Sequence, residues 1–175
     1  MIFFKVKYRA YEDNNKEDQV RYSFLFDSEK HISEEALKNS AAKLFPENTI
    51  LMAIYASPTV GRLGILTQAS TFNQAAVGMV PDKQISVEFL YLTLLSERVN
   101  LNNLASGAAQ QNLNVSIVKN YRIIVPDKNT VNTFTNIVSN LFGSIRVRAE
   151  QNLRLASLRD TLLPRLMSGE LKIKA

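Results

Sequence analysis

The sequence predicts an α/β (α+β) fold: a domain built on a mixed sheet over residues 1–127, then a long coiled-coil helix over residues 128–175. Three observations carry this. Short β-branched and aromatic runs are interleaved with capped, amphipathic helical segments in the first part. From Val131 onward apolar residues step by three or four for some thirty positions. Pro126 separates the two regimes. A chain of 175 residues, 46% hydrophobic, suits one domain with a core of ordinary size and an appendage.

In order along the chain, Ile2 to Tyr8 and Val20 to Phe26 read as strands, joined by a polar, acidic loop from Glu12 to Gln19. Ser33 to Leu44 reads as a helix. Ser33 caps it, Glu34 and Glu35 suit its positive end, and Ala36, Leu37, Ala41 and Leu44 give it an apolar face. Pro46-Glu47-Asn48 is a turn. Thr49 to Ala56 is almost wholly apolar, the pattern of a strand covered on both faces. Arg62 to Leu66 and Ala75 to Val80 are further strands, set off by turn signals at Ser57-Pro58, Gly61 and Ser70-Thr71. Ser86 caps a second helix running to about Leu101. An Asn- and Gln-rich loop follows, and Tyr121 to Val125 is a last strand.

From about Thr130 to Leu163 the pattern is one helix, which at 1.5 Å per residue is a rod of roughly 50 Å. Val131, Phe134, Val138, Leu141 and Ile145 form an apolar seam that continues through Arg148 and Asn152 to Leu155, Leu158 and Leu162. A lone helix with such a stripe needs a partner. Arg148 and Asn152 either fix the register of that seam or rotate out to solvent. Pro164 is expected to end the main helix, since it lacks an amide and clashes with the preceding turn.

The pI of 9.5 suggests a polyanion partner only if the charge is concentrated. Residues 1–128 carry 14 basic and 13 acidic side chains, and residues 129–175 carry 7 and 3. The excess therefore lies in the tail, and bulk charge supports DNA binding weakly. Without cysteine there are no disulfides and no thiolate metal sites. No apolar run is long enough for a membrane helix, and the first residues do not read as a secretory signal. A cytoplasmic location is the expectation.

Motifs for catalysis are missing. His31 is the one histidine and reads as a solvent-exposed residue at a helix entry. No metal-binding, nucleotide-binding or nucleophile-elbow motif occurs, and no carboxylate pair sits in an apolar setting. The chain is expected to bind or assemble rather than catalyse. Arg62, between Gly61 and Leu63-Gly64, is the one charged residue from Thr49 to Val80. It either reaches a phosphate or guanine edge or snorkels over the core rim. Seven of the sixteen residues from Val99 to Asn114 are Asn or Gln, and residues 99–126 hold no acid. Gln110, Gln111, Asn112 and Asn114 could pair with adenine, Ser106 and Gly107 could donate to phosphates, and Lys119 and Arg122 follow. The alternative is that these amides serve turns and caps.

The tail from Leu158 to Ile173, LRDTLLPRLMSGELKI, closely resembles the C-terminal tail of the DNA-specificity subunits of Type I restriction-modification systems. Phe72 to Pro81, FNQAAVGMVP, resembles a recurring segment of their target-recognition domains. So do Gly61 to Ile65, the run from His31 through Pro46 to Met52, and Gly107, Gln110 and Leu113 after the second helix. Two departures stand out. There is one domain and one helix where a whole subunit has two of each, and the Trp-rich opening strand is missing. The chain thus looks like a C-terminal half or a split subunit, with its first thirty residues unmatched.

The resemblance implies a non-catalytic subunit that reads double-stranded DNA for partner methyltransferase subunits and, through them, restriction subunits. S-adenosylmethionine, ATP and magnesium would lie on those partners and none on this chain. With a single helix the simplest partner is a second copy, packed antiparallel, reading an interrupted palindrome. One rival is an assembly fragment that docks methyltransferase subunits without reading DNA. Another is a small nuclease or methyltransferase, which the motif content disfavours.

Overall fold

The run from Thr49 to Ile54 is buried throughout, and the fold is built outward from it. The structure is a computed structural model that describes residues 3–6, 24–28, 30–55, 59–105 and 112–171. Strands β1 (Phe3–Val6), β2 (Phe24–Leu25) and β3 (Lys30–Ile32) precede the short helix α1 (Glu34–Lys38). Strands β4 (Ile50–Ala53), β5 (Leu63–Leu66), β6 (Ser70–Phe72) and β7 (Ala76–Met79) follow. Helices α2 (Val87–Ser96), α3 (Arg98–Asn103), α4 (Val115–Asn120) and α5 (Lys128–Met167) complete the chain. The strands make a four-stranded sheet, β2-β5-β4-β7, and a three-stranded one, β3-β1-β6. Both are mixed, because β2 runs parallel to β5 and β1 parallel to β6 while the other pairs are antiparallel.

Side chains of β4 alternate between two clusters, which is why the whole strand is apolar. Ile50 and Met52 join Ile65, Leu90, Tyr91, Leu94, Leu101 and Phe142 on the helix side. Leu51 faces the other way, with Leu66, Leu25, Phe45 and Phe72. The partners of Leu51 in the flanking strands are Gly64 and Gly78. A Cβ at Gly64 would lie 2.7 Å from Leu25, and one at Gly78 would lie 2.6 Å from the Phe72 ring. The missing side chains let the second layer sit directly on the sheet.

Helix α5 begins at Asp127, whose carboxylate accepts from the amides of Asn129 and Thr130. Val131 is buried, Phe134 meets Phe89 edge-on at 5.9 Å, and Val138 packs on the core. Phe142 sits between Phe24 and Tyr91, with ring centroids at 6.2 and 5.8 Å. Arg146 closes the docked part, donating to Glu47 Oε1 at 2.9 Å and to the Thr67 carbonyl at 3.3 Å. Beyond it the helix runs on to Met167 for about 30 Å, with Leu153, Leu155, Leu158, Leu162, Leu163 and Leu166 all exposed.

Several expectations are corrected. Helix α1 stops at Lys38, not Leu44. Asn39 caps it, Ser40 Oγ accepts from the Ala42 amide, and none of its residues is buried, so nothing holds a longer helix to the domain. Ser70-Thr71 is strand, not turn, because Ser70 bridges Phe45 and pairs with β1. The helix after Ser86 breaks at Glu97 into α2 and α3. Residues 115–120, read as loop, form α4. Tyr121 to Val125 is extended but pairs with no strand among the described residues, and Ile124 is 89% exposed.

Pro164 lies inside α5, which ends only before Gly169 at φ 76°. Near an exposed helix end the proline forgoes one amide bond where carbonyls are already hydrated. The seam also shifts. Val131, Phe134 and Val138 pack within the chain, and Phe142 is buried in place of Leu141, which is exposed. Arg146, one of the basic residues of the tail, pairs with Glu47. The expected loop from Glu12 to Gln19, Ser57-Pro58 and the ends of the first two strands lie outside the described residues.

The two halves of α5 should respond differently to truncation. Phe142→Ala should lower unfolding free energy by about 3–5 kcal/mol, measured by urea denaturation. Leu158→Ala, on the exposed half, should leave a dilute sample within about 0.5 kcal/mol of the parent.

Candidate nucleic-acid interface

One end of the four-stranded sheet gathers several of the expected contact residues. The chain leaves β4 at Ile54 and comes back to the sheet at Arg62, just after a turn over Thr59, Val60 and Gly61. Thr59 Oγ1 donates to the Tyr55 carbonyl at 2.9 Å, the Gly61 amide to Ala53 O at 2.8 Å, and the Ala53 amide to Arg62 O at 2.9 Å. Gly61 has φ +75°, a conformation that suits glycine. From the helix side α3 closes on it: a Cβ there would lie 2.7 Å from Asn102 Oδ1 and 3.1 Å from Arg98 Cγ. Half-buried Arg62 comes next, just before β5, and strand alternation from Leu63, on the helix side, sends it to the other face of the sheet.

The Asn- and Gln-rich loop ends at the same place. The Leu113 amide donates to Ile54 O at 2.9 Å, so residues 112–114 abut the exit of β4. Leu113 is fully buried and Asn112 half-buried. Asn114 caps α4, its Oδ1 accepting from the Ile117 amide at 2.8 Å. That is the capping role weighed for these amides, although the side chain stays exposed. Ser106, Gly107, Gln110 and Gln111 lie outside the described residues. Lys119, on α4, and Arg122, just after it, are exposed on a different element from Arg62.

Sequence reasoning missed Arg98 and Asn102. Their signal is the i, i+4 spacing of two polar residues on a short helix, which puts both on one face. It also missed Glu97, at the break between α2 and α3. Its carboxylate accepts from the Tyr121 hydroxyl and from Asn100 Nδ2, the latter at 2.7 Å. The Tyr121 bond, then the Asn100 bond, holds Glu97 below the usual carboxylate range, and the same contact pushes the Tyr121 phenol up. This link ties the segment after α4 to the helix that carries Arg98 and Asn102. His31, read as an exposed residue at a helix entry, lies in β3 with Nε2 2.8 Å from Asp27 Oδ1.

Of the expected partner-facing seam, Ile145 is half-buried, while Leu141, Arg148, Asn152, Leu155, Leu158 and Leu162 are exposed. No helix among the described residues is long and apolar enough to cross a membrane.

Residues 3–155 match the Type I restriction modification DNA specificity domain. The chain belongs to the Type I restriction-modification DNA-specificity family. It is 33% identical over 157 residues to the Type I restriction enzyme HindI specificity subunit of Haemophilus influenzae, covering 88% of this chain and 34% of that protein. It is 30% identical over 174 residues to the MjaIX specificity subunit of Methanocaldococcus jannaschii, covering 94% of this chain and 40% of that one. It thus spans between a third and two-fifths of the length of these curated relatives. A chain from a structure of complex assembly and conformational transition in the type I R-M system shares the fold, with TM-score 0.52 and 14% identity. The alignment covers 94% of this chain and 42% of that one. The specificity-domain match takes in both sheets, every turn just described and the docked part of α5.

The Glu97–Tyr121 link should leave a pH signature. Glu97 has a lowered folded-state pKa, so its contribution to stability is full above the unfolded value near 4.5 and fades as pH falls through the lowered folded value. Tyr121→Phe removes the main cause. The expected outcome is a urea midpoint that falls less between pH 7 and pH ~3 than in the parent. Equal falls in both proteins would refute the link.

Proposed function

We propose that this chain is a DNA-reading part of a Type I restriction-modification specificity subunit. It directs methyltransferase subunits and, through them, restriction subunits to a double-stranded target. It performs no chemistry itself; S-adenosylmethionine, ATP and magnesium belong to the partner subunits. It works in the cytoplasm, where host DNA is methylated and invading DNA cut. The observation that carries this reading is the specificity-domain match over residues 3–155, together with sequence identity to two specificity subunits.

Within that reading, Arg62, Asn112 and Asn114 offer a cation and amides at one sheet end, and Ser106, Gly107, Gln110 and Gln111 belong to the loop that returns there. Base edges are the targets of the amides, Arg62 reaches a guanine edge or a phosphate, and Lys119 and Arg122 take phosphates. The exposed half of α5 is the docking rod. Leu155, Leu158 and Leu162 recur at three- and four-residue spacing on a face that the chain itself does not cover. A second copy packed antiparallel along this half, with Arg148 and Asn152 setting register, gives a two-headed reader with twofold symmetry.

Co-expression with the methyltransferase subunit from the neighbouring locus tests the reading. The expected result is methylation at an interrupted, symmetric motif that disappears without this chain. A stable complex without motif-specific methylation would instead favour a docking fragment. Sedimentation equilibrium tests the rod: the parent should dimerise at micromolar concentration and Leu158→Lys/Leu162→Lys should not. A parent that stays monomeric at high micromolar concentration rules out the homodimer.

A further inference from the structure

We infer that Asn102 is a positioning residue for sequence reading, acting through Gly61 on Arg62; this rests on the DNA-reading function proposed above. Asn102 Oδ1 is buried and has no hydrogen-bond partner among the described residues. A buried amide oxygen without a donor is destabilising, so its place calls for a reason. Gly61 lies against it, beside the Arg98 side chain. The backbone there has φ +75°, and the direction a side chain would take from Gly61 points at Asn102 Oδ1 and the Arg98 stem, at 2.7 and 3.1 Å. Without a Cβ, Gly61 leaves room for the Asn102 oxygen and the Arg98 stem to close on the turn.

The consequence falls on the next residue. Gly61 and Arg62 are both tied to Ala53 by backbone bonds of 2.8 and 2.9 Å. With α3 closed on Gly61, the turn leads into β5 in one setting, and alternation from Leu63, on the helix side, commits Arg62 to the other face of the sheet. Arg62 has no ion pair among the described residues to hold it in place. Its direction therefore depends on the turn beneath it, and the turn rests on Asn102 and the Arg98 stem. Asn102 need not touch DNA to decide where Arg62 does.

The test uses the full chain and a random double-stranded DNA pool, with selected sequences read out for the parent, Arg62→Ala, Asn102→Ala and the double variant. Thermal midpoints are measured alongside. The expected result is that Asn102→Ala lowers enrichment about tenfold or more at the same base positions as Arg62→Ala. The double variant should be no worse than Arg62→Ala alone, because both act on one contact. Full additivity, or an Asn102→Ala motif identical to the parent's, overturns the inference while leaving DNA reading intact. A parent that enriches no motif overturns the DNA reading itself, and the inference with it. Should Asn102→Ala fail to fold, Gly61→Ala takes its place, since it keeps both α3 side chains and displaces the turn. Loss at the Arg62 positions supports the inference, and an unchanged motif refutes it.

Discussion

The row Gly64–Leu51–Gly78 across the central sheet is the constraint on which the remaining structure depends. Leu51 is buried with a glycine on each side, so its face of the sheet is nearly flat. Leu25 folds over Gly64, and Phe72 over Gly78, each within what would be a Cβ's contact distance. Phe72 in turn stacks on Phe45 at 4.5 Å, and Phe45 is bonded to Ser70 in both directions at 2.9 Å. Through that contact β6, and with it the three-stranded sheet, is held against the four-stranded one. A methyl group at either glycine would push the two layers apart, and close-packed interiors have no slack for that.

The other face of the same strand sets the helices. Ile50, Met52 and Ile54 give α2, α3 and α4 one apolar floor, and Phe142 brings α5 to it. Aromatic edge contacts on either side of Phe142 make the crossing directional, because rings meeting edge-on tolerate little rotation. Arg146 then fixes the axial position of α5 with two bonds to different segments, Glu47 and Thr67. The pair with Glu47 is partly exposed and contributes little energy by itself. Its role is geometric, since it marks where the helix leaves the domain.

What the sequence revealed follows from how local each cause is. Strand β4, Ile50–Ala53, was legible within the longer expected run because burial on both faces leaves an uninterrupted apolar stretch. The caps Ser33 and Ser86 were legible because capping is a matter of three residues. Strand β6 was missed because Ser70 and Thr71 carry turn-forming side chains and owe their strand to Phe45 and β1, which are distant in sequence. The α5 seam was found, but its first part packs against the chain's own domain and not against a partner. A period of 3.5 leads from Val138 to Leu141, whereas a straight helix at 3.6 presents Phe142. Periodicity cannot tell a partner in the same chain from one in another. At the candidate site, Arg62 stood out as an isolated charge. Asn102 and Arg98 did not, because their significance arises only when α3 meets Gly61.

The placement of these parts separates two tasks. Strand β4 runs from the Glu47–Thr49 end, where Arg146 is anchored, to the Ile54 end, where the Gly61 turn and the return of the Asn- and Gln-rich loop lie. At about 3.3 Å per residue these ends are roughly 17 Å apart. The first half of α5 is held between α2 and the sheet, and its exposed half continues beyond Arg146. A partner gripping that exposed half therefore bears on the end of the sheet away from Arg62. Exposed side chains at the Ile54 end can vary without reaching Arg146, because the buried strand β4 separates the two ends.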